Sequence, residues 1–340
     1  MRYFLASVFS ATLAASASGA PPAPPPPHFG AKPVAVLLLT RVGGSDWDKT
    51  VADVRKSLGK DALLETVVGN PSPPDLRHAL ERLKAGRAEK VVAVPVYLHS
   101  DNDDLDQIRY ILGMKKYPSA DFMKAPHANM GQIVIKRAVV NLKKPPIVLT
   151  QALDSDPSIP AALLERAKKL GRDPALEAVV LVGAGTGDMA RDQAYRTVLE
   201  RHAKALRRNG RYRAVRAVLF AYDEQPPRDQ TPDLSKSRGS HLHASADPGR
   251  ELREAVQSLS NMGHVIVLPY LLTPDGSERT YRKILQNAFI LWDGKGMLPH
   301  ERIVSWIKAR IVEGSGLPDM VKFRDEGLPL PSPERKKIVR

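Results

Sequence analysis

Two stretches of this chain carry the same message. "DLRHALERLKAG" runs into "KVVAVPVYL", and about half a chain later "ELREAVQSLSNMG" runs into "HVIVLPYLL". Each is a helix-period segment ended by glycine, then a run of β-branched and aliphatic residues interrupted by proline. The pairs align residue by residue, and the longer first turn, Arg87 to Lys90 against Gly263-His264, absorbs the difference in spacing. A repeat on this scale means a duplicated supersecondary unit, here with a boundary near Arg172–Pro174.

The runs around these pairs fix the class. "PVAVLLL" (33–39), "ALLETVV" (62–68) and "KVVAVPVYL" (90–98) are near-continuous apolar runs, as expected of parallel strands covered on both faces. Between them, "WDKTVADVRKSL" places Trp47, Val51, Val54 and Leu58 on one helical stripe, and "SPPDLRHALERLKAG" carries Leu76, Leu80 and Leu83 behind a Ser-Pro start. Strand, helix, strand in alternation predicts right-handed β-α-β units. "GQIVIKRAVV" and "PIVLTQAL" read as strands and "SIPAALLERAKKLG" as a helix. From "LEAVVLVGAGTGD" the order begins again. The expected fold is α/β: two tandem lobes, each a parallel sheet flanked by helices, facing a cleft.

The predicted limits are a leader over 1–20, a Pro-rich linker over 21–32, units over 33–172 and 173–312, and a loose tail over 313–340. "MRYFLASVFSATLAASASGA" has Arg2, a short apolar stretch and a small-x-small site at Ala15-Ser16-Ala17. That is the pattern of a secretory signal peptide, and the expectation is an exported protein, periplasmic or secreted. The stretch falls short of the roughly 20 apolar residues of a membrane span, so no stable span is expected after leader removal. "PPAPPPPHFGAKP" is a polyproline-type spacer.

Cysteine is absent, which excludes disulfides, thiolate ligands and a cysteine nucleophile. The formal net charge of +14 favours anionic partners: acidic headgroups, polycarboxylate small molecules or nucleic acid. An exported address, few aromatics and no binding motif argue against nucleic acid. "VVLVGAGTGD" follows a strand and opens a helix, but Asp188 stands where the dinucleotide fingerprint needs its last glycine, so no nucleotide is expected. Neither a phosphate loop nor a serine nucleophile elbow is present.

Proline cannot donate to a ladder, so Pro95 and Pro269 belong at strand ends. Ligands of open α/β sheets bind beyond the carboxyl ends of strands. This directs attention to "YLHSDNDDLD", where His99 stands beside Asp101, Asp103, Asp104 and Asp106. An imidazole with flanking carboxylates suits a divalent ion; the alternative is a solvated acidic loop opening a helix whose dipole favours acids. His241 and His243, two apart in "SRGSHLHASADPG", are a second candidate ligand pair, or two solvated imidazoles on a loop. Arg41 and Arg279 near strand ends are candidate partners for substrate carboxylates, with Arg282 beside them. His300 is expected at a helix start, and His78, His202 and His264 on helix surfaces or turns.

Strand order, the Pro-interrupted strand ends "VPVYL" and "LPYLL", the segment "QALDSDPSIPAALLERA" and the later "GKGMLPHERIVSWI" together resemble the CbiX/SirB-type sirohydrochlorin chelatases of the class II chelatase superfamily. The resemblance covers nearly all of residues 33–312 in tandem. It implies a lyase of cobalamin or siroheme biosynthesis that places cobalt, iron or nickel, as substrate, into a tetrapyrrole without ATP. It also implies Gly43 and Gly185 at the substrate. The family's two metal-handling histidines map onto Val42 and Asp103 in the first unit and Ala184 and Ser277 in the second. Two expectations therefore stand. One is an exported chelatase working through His99 or the His241/His243 pair. The other is a chelatase-fold protein without catalysis that binds a tetrapyrrole or metal, or serves as an interaction module.

Overall fold

Strand β1 (Val34–Thr40) is buried along six of its seven residues because it is the central partner of two neighbours. It pairs in parallel with β2 (Leu64–Val68) and β3 (Lys90–Pro95), and β3 pairs with β4 (Ile147–Leu149). The second half repeats the arrangement. β5 (Glu177–Gly185) lies between β6 (Ala214–Ala221) and β7 (His264–Pro269), and β7 pairs with the two-residue β8 (Ile290–Leu291). Sheet orders β2-β1-β3-β4 and β6-β5-β7-β8 are the same order written twice, so the repeat in sequence is a repeat in topology. The computed structural model describes residues 34–59, 62–70, 72–115, 145–186, 188–221, 249–274 and 277–320. The leader, the Pro-rich linker, the strand expected over "GQIVIKRAVV", His241 and His243 lie outside them.

Alternate residues of each strand enter different cores. Ala35, Leu37, Leu39, Val91 and Ala93 pack outward under α2 (Pro73–Ala85) and α3 (Asp103–Ile111). In the second lobe Ala178, Val180, Val182, Val265 and Val267 do the same under α6 (Arg250–Ser260) and α7 (Ser277–Ile284). The opposite parity, Val36, Leu38, Val92 and Val94 with Val179, Leu181, Ile266 and Leu268, belongs to one shared core. Four helices fill that middle layer: α1 (Ser45–Leu58), α4 (Ser158–Leu170), α5 (Met189–Gly210) and α8 (Glu301–Gly316). Burial on both faces is why the central strands read as unbroken apolar runs.

Two of the four helices are exchanged. α4 leaves the first sheet and packs on β7 and α5 of the second lobe, while α8 leaves the second sheet and packs on β3, β4 and α1 of the first. Gly314 makes the second contact possible: a Cβ there would lie 2.5 Å from Val92 Cγ1 and 3.1 Å from Thr150 Cγ2. Beyond it, Lys90 Nζ donates to the carbonyls of Ser315 (2.5 Å) and Leu317 (2.7 Å), and Met320 is buried. The tail expected to loosen from residue 313 is therefore helix to Gly316 and packed to Met320. The units separated near residue 172 are repeats in sequence, but packing crosses that boundary in both directions.

Candidate functional site

The two prolines occupy equivalent places. Pro95 pairs with Leu39 and Pro269 with Val182, and the next residue in each case donates its N–H back to that partner, Val96 to Leu39 O and Tyr270 to Val182 O, both at 2.7 Å. The face of β3 on which Pro95 would donate is the β4 side, since Val91 N bonds Pro146 O. β4 ends at Leu149, so the missing donor falls where the partner strand is finishing. Proline closes the strand without leaving the ladder short.

After Pro95 the chain is held tightly. Leu153 N donates to Tyr97 O at 2.9 Å, and Ser100 donates through N and Oγ to the two oxygens of Asp154 at 3.1 and 2.7 Å. Asn102 Oδ1 accepts from Asp104 N at 2.8 Å and so caps α3, with Asp103, Asp104 and Asp106 in its first turn. His99, between these clamps, is 8% exposed.

One face of α5 meets this loop. Its N-cap Asp188 accepts from Arg191 N at 2.9 Å, and Arg191, Tyr195 and His202 follow at spacings of four and seven, so all three point the same way. Arg191 grips Asp103 with both terminal nitrogens, one of them at 2.6 Å. Tyr195 stacks on His99, ring centroids 3.6 Å apart. His202 Nε2 lies 3.3 Å from Tyr270 Oη, which is also 3.3 Å from Leu98 O, and the Tyr270 ring meets His99 edge-on at 5.6 Å. An ion pair, a ring stack and a hydrogen-bonded phenol thus join the lobes along one line.

Burial decides the charge states. It drives His99 down to about 3, with His202 adding to the effect, and His202 down to about 4, with Arg201 adding. Both imidazoles are neutral at physiological pH. Burial raises the phenol of Tyr195 to about 12 and pushes Tyr270 higher still. His99 Nδ1 is buried with no hydrogen-bond partner among the described residues.

The other expected site residues are dispersed. Arg41 Nη1 reaches Asp104 Oδ2 at 3.0 Å across the mouth of the first sheet. Val42 packs against the shared core, and a Cβ on Gly43 would lie 2.9 Å from Val68 Cγ1. Ala184 and Gly185 close β5 opposite Phe220 and Ala221. Ser277 opens α7, and Arg279 is exposed on it. His99, Asp101 and Asp103 do not form the metal group their adjacency predicts, because His99 turns inward to Tyr195 while Asp103 turns to Arg191. Among the described residues no three His, Asp or Glu side chains converge into a set able to hold a metal ion.

His300 caps α8 as expected, its Nδ1 accepting from Arg302 N at 3.2 Å. His202 does not lie on a helix surface: it is 2% exposed. Sequence reading missed it together with Tyr195, Tyr270 and Arg191, although Tyr195, Leu199, His202 and Leu206 form an inward stripe at helical spacing. The glycine-rich end of β5 serves packing. A Cβ on Gly183 would lie 2.5 Å from Leu199 Cδ1, and Asp192 Oδ1 already takes Thr186 N at 2.6 Å.

No family model and no curated protein sequence matches the chain. Its coordinates align with SirB from Bacillus subtilis with Fe3+ at a TM-score of 0.51 and 16% identity, over 84% of this chain and 96% of that one. The fold is chelatase-like, the one seen in SirB. The sirohydrochlorin chelatase SirB from Bacillus subtilis subspecies spizizenii, in complex with cobalt, aligns at a TM-score of 0.46 and 14% identity over 87% of this chain and 98% of that one. A multi-domain protein of Deinococcus radiodurans, with structural similarity to chelatases and two additional domains, aligns at 0.46 and 17% over 83% and 54%. Within the chelatase fold, the loop after β3 here carries Asp103, and Asp103 is bound to the opposite lobe.

Proposed function

We propose that this chelatase-fold protein binds a tetrapyrrole between its lobes and does not insert metal into it. The observation that carries this reading is the commitment of Asp103. By resemblance it stands where the family places a metal-handling histidine, and here its carboxylate is bound by Arg191 from α5. Val42, Ala184 and Ser277 at the remaining family positions supply no imidazole to receive a metal or take a pyrrole proton. Binding draws support from the aromatic rings gathered at the lobe contact and from the positive charge of the chain. A planar macrocycle takes the place of one ring of the buried His99–Tyr195 stack once the lobes part at that contact, and exposed guanidinium groups such as Arg279 suit its carboxylates. The leader-like N-terminus supports an exported, periplasmic or secreted location.

One observation favours the alternative of metal insertion. His99 Nδ1 is buried, neutral and without a hydrogen bond, which is the state of an imidazole ready to ligate a divalent ion such as cobalt, iron or nickel. An absorbance titration with sirohydrochlorin, alone and with Co²⁺ or Ni²⁺, separates the readings. The expected result is a shifted tetrapyrrole spectrum with metal insertion at the uncatalysed rate. Rapid insertion abolished by His99→Ala would replace the binding reading with the catalytic one. A spectrum unmoved by any porphyrinoid would leave an interaction module.

A further inference from the structure

The amino ends of β5, β6 and β7 lie at the face of the second lobe opposite the strand ends that carry the site. Two features of different chemistry meet there. The first is cationic. α5 ends against the middle of α4, a Cβ on Gly210 lying 2.7 Å from Leu164 Cδ1, and Arg213 N donates to the carbonyls of Pro174 and Glu177, in the segment that follows α4, at 3.0 Å. This brings Lys168, Arg172, Arg207, Arg208, Arg211 and Arg213 to one rim, all exposed. None of the six forms an ion pair among the described residues. Cations in a last helical turn answer the helix dipole, but Arg172, Arg211 and Arg213 lie beyond the helix ends. Arg211 also holds a left-handed conformation, φ 57°, that glycine or asparagine adopts at lower cost. Of the acids at the rim, Glu177 is buried and receives Arg172 N and Asp173 N, which leaves Asp173 as the exposed one.

The second feature is apolar and continuous with the first. Leu176 is 56% exposed, Met262 41% and Phe289 77%. They border a groove of about 860 Å³ floored by Val256 and Leu285. Arg213 Nη1 donates to Met262 O at 2.7 Å, so the apolar tips stand directly beside the cations.

We infer that this face docks peripherally on a membrane surface rich in anionic phospholipid. Guanidinium and ammonium groups take the phosphates, while Leu176, Met262 and Phe289 enter the interface. Duplex nucleic acid offers phosphates but nothing for projecting Leu and Met side chains, so the apolar border selects lipid. Docked this way, the lobe contact at the carboxyl strand ends faces away from the bilayer.

The test is co-sedimentation of the full chain with vesicles of equal parts phosphatidylglycerol and phosphatidylcholine, against phosphatidylcholine alone. Wild type should bind the anionic vesicles only. Arg207→Glu with Arg208→Glu should lower the partition about tenfold or more. Leu176→Ser with Phe289→Ser should lower it too, with both pairs keeping the wild-type circular dichroism melt. Lys49→Glu with Lys56→Glu, an equal charge change on exposed positions of α1, should leave binding intact. The inference fails if anionic vesicles do not retain the protein, or if the α1 pair is as damaging as the rim pair. It fails equally if duplex DNA binds more tightly than vesicles and is indifferent to the Leu176/Phe289 pair.

Discussion

The imidazole of His99 lies flat on the phenol of Tyr195, the planes 6° from parallel, although the two residues come from different halves of the repeat. His99 Nδ1 has no partner among the described residues, so at that edge the ring contributes through its face and volume. His99→Ala should cost about 2–4 kcal/mol by removing the stack and leaving a void. His99→Phe restores a ring and should cost less than about 1.5 kcal/mol. Urea unfolding of the two variants measures the difference; equal costs would mean that a nitrogen is bonded after all.

Acid should weaken the fold through the same residue and its neighbour. Folding depresses His99 from 6.5 to about 3 and His202 from 6.5 to about 4. The unfolded chain therefore binds protons that the folded chain refuses. The stability conferred by these neutral imidazoles is complete above pH 6.5 and falls as the pH drops below it. Each contributes a slope of up to about 1.4 kcal/mol per pH unit. Guanidinium midpoints measured from pH 7 to 4 should fall in wild type and fall less steeply in His202→Gln.

The Arg191–Asp103 pair is partly open to water, with side chains 21% and 34% exposed. Its coupling is accordingly modest, about 1 kcal/mol in a double-mutant cycle with Arg191→Ala and Asp103→Ala, and smaller at high salt. A cycle that closes at zero in low salt would show that this ion pair adds nothing to the joining of the lobes, which then rests on the ring contacts, the Tyr270–Leu98 hydrogen bond and the shared core.

Two glycines of α8 should respond in opposite senses to alanine. Gly314→Ala forces a methyl to within 2.5 Å of Val92 Cγ1 and should destabilise by about 1–3 kcal/mol. Gly316 faces open space, and Gly316→Ala should be neutral or stabilising by up to about 1 kcal/mol. Thermal melting of the two variants is sufficient to see the sign.

The strands and the repeat were legible because a sheet buried on both faces leaves its mark on every residue, and Pro95 and Pro269 mark the same strand end twice. The partner of a helix was not legible. Ile159, Ala162, Leu163 and Ala167 form the inward stripe of α4, but a stripe states that a face is buried and not which sheet buries it. The site failed for the same reason. "YLHSDNDDLD" reads as a loop of potential ligands, and only the approach of α5 turns His99 inward and pairs Asp103 with Arg191. His202 sat on a readable stripe, and polarity alone assigned it to the surface.

The exchange of α4 and α8 makes each half of the polypeptide unfinished without the other. Cut near residue 172, the first piece would hold a sheet whose inner side keeps α1 but lacks α8, and a helix that has nothing to cover; the second would keep α5 but lack α4. Such pieces would associate, two copies of one or one of each, by trading helices. The two lobes are organised as a helix-exchanging pair would be if its members had been written into a single gene, and the smallest folding unit is both lobes together.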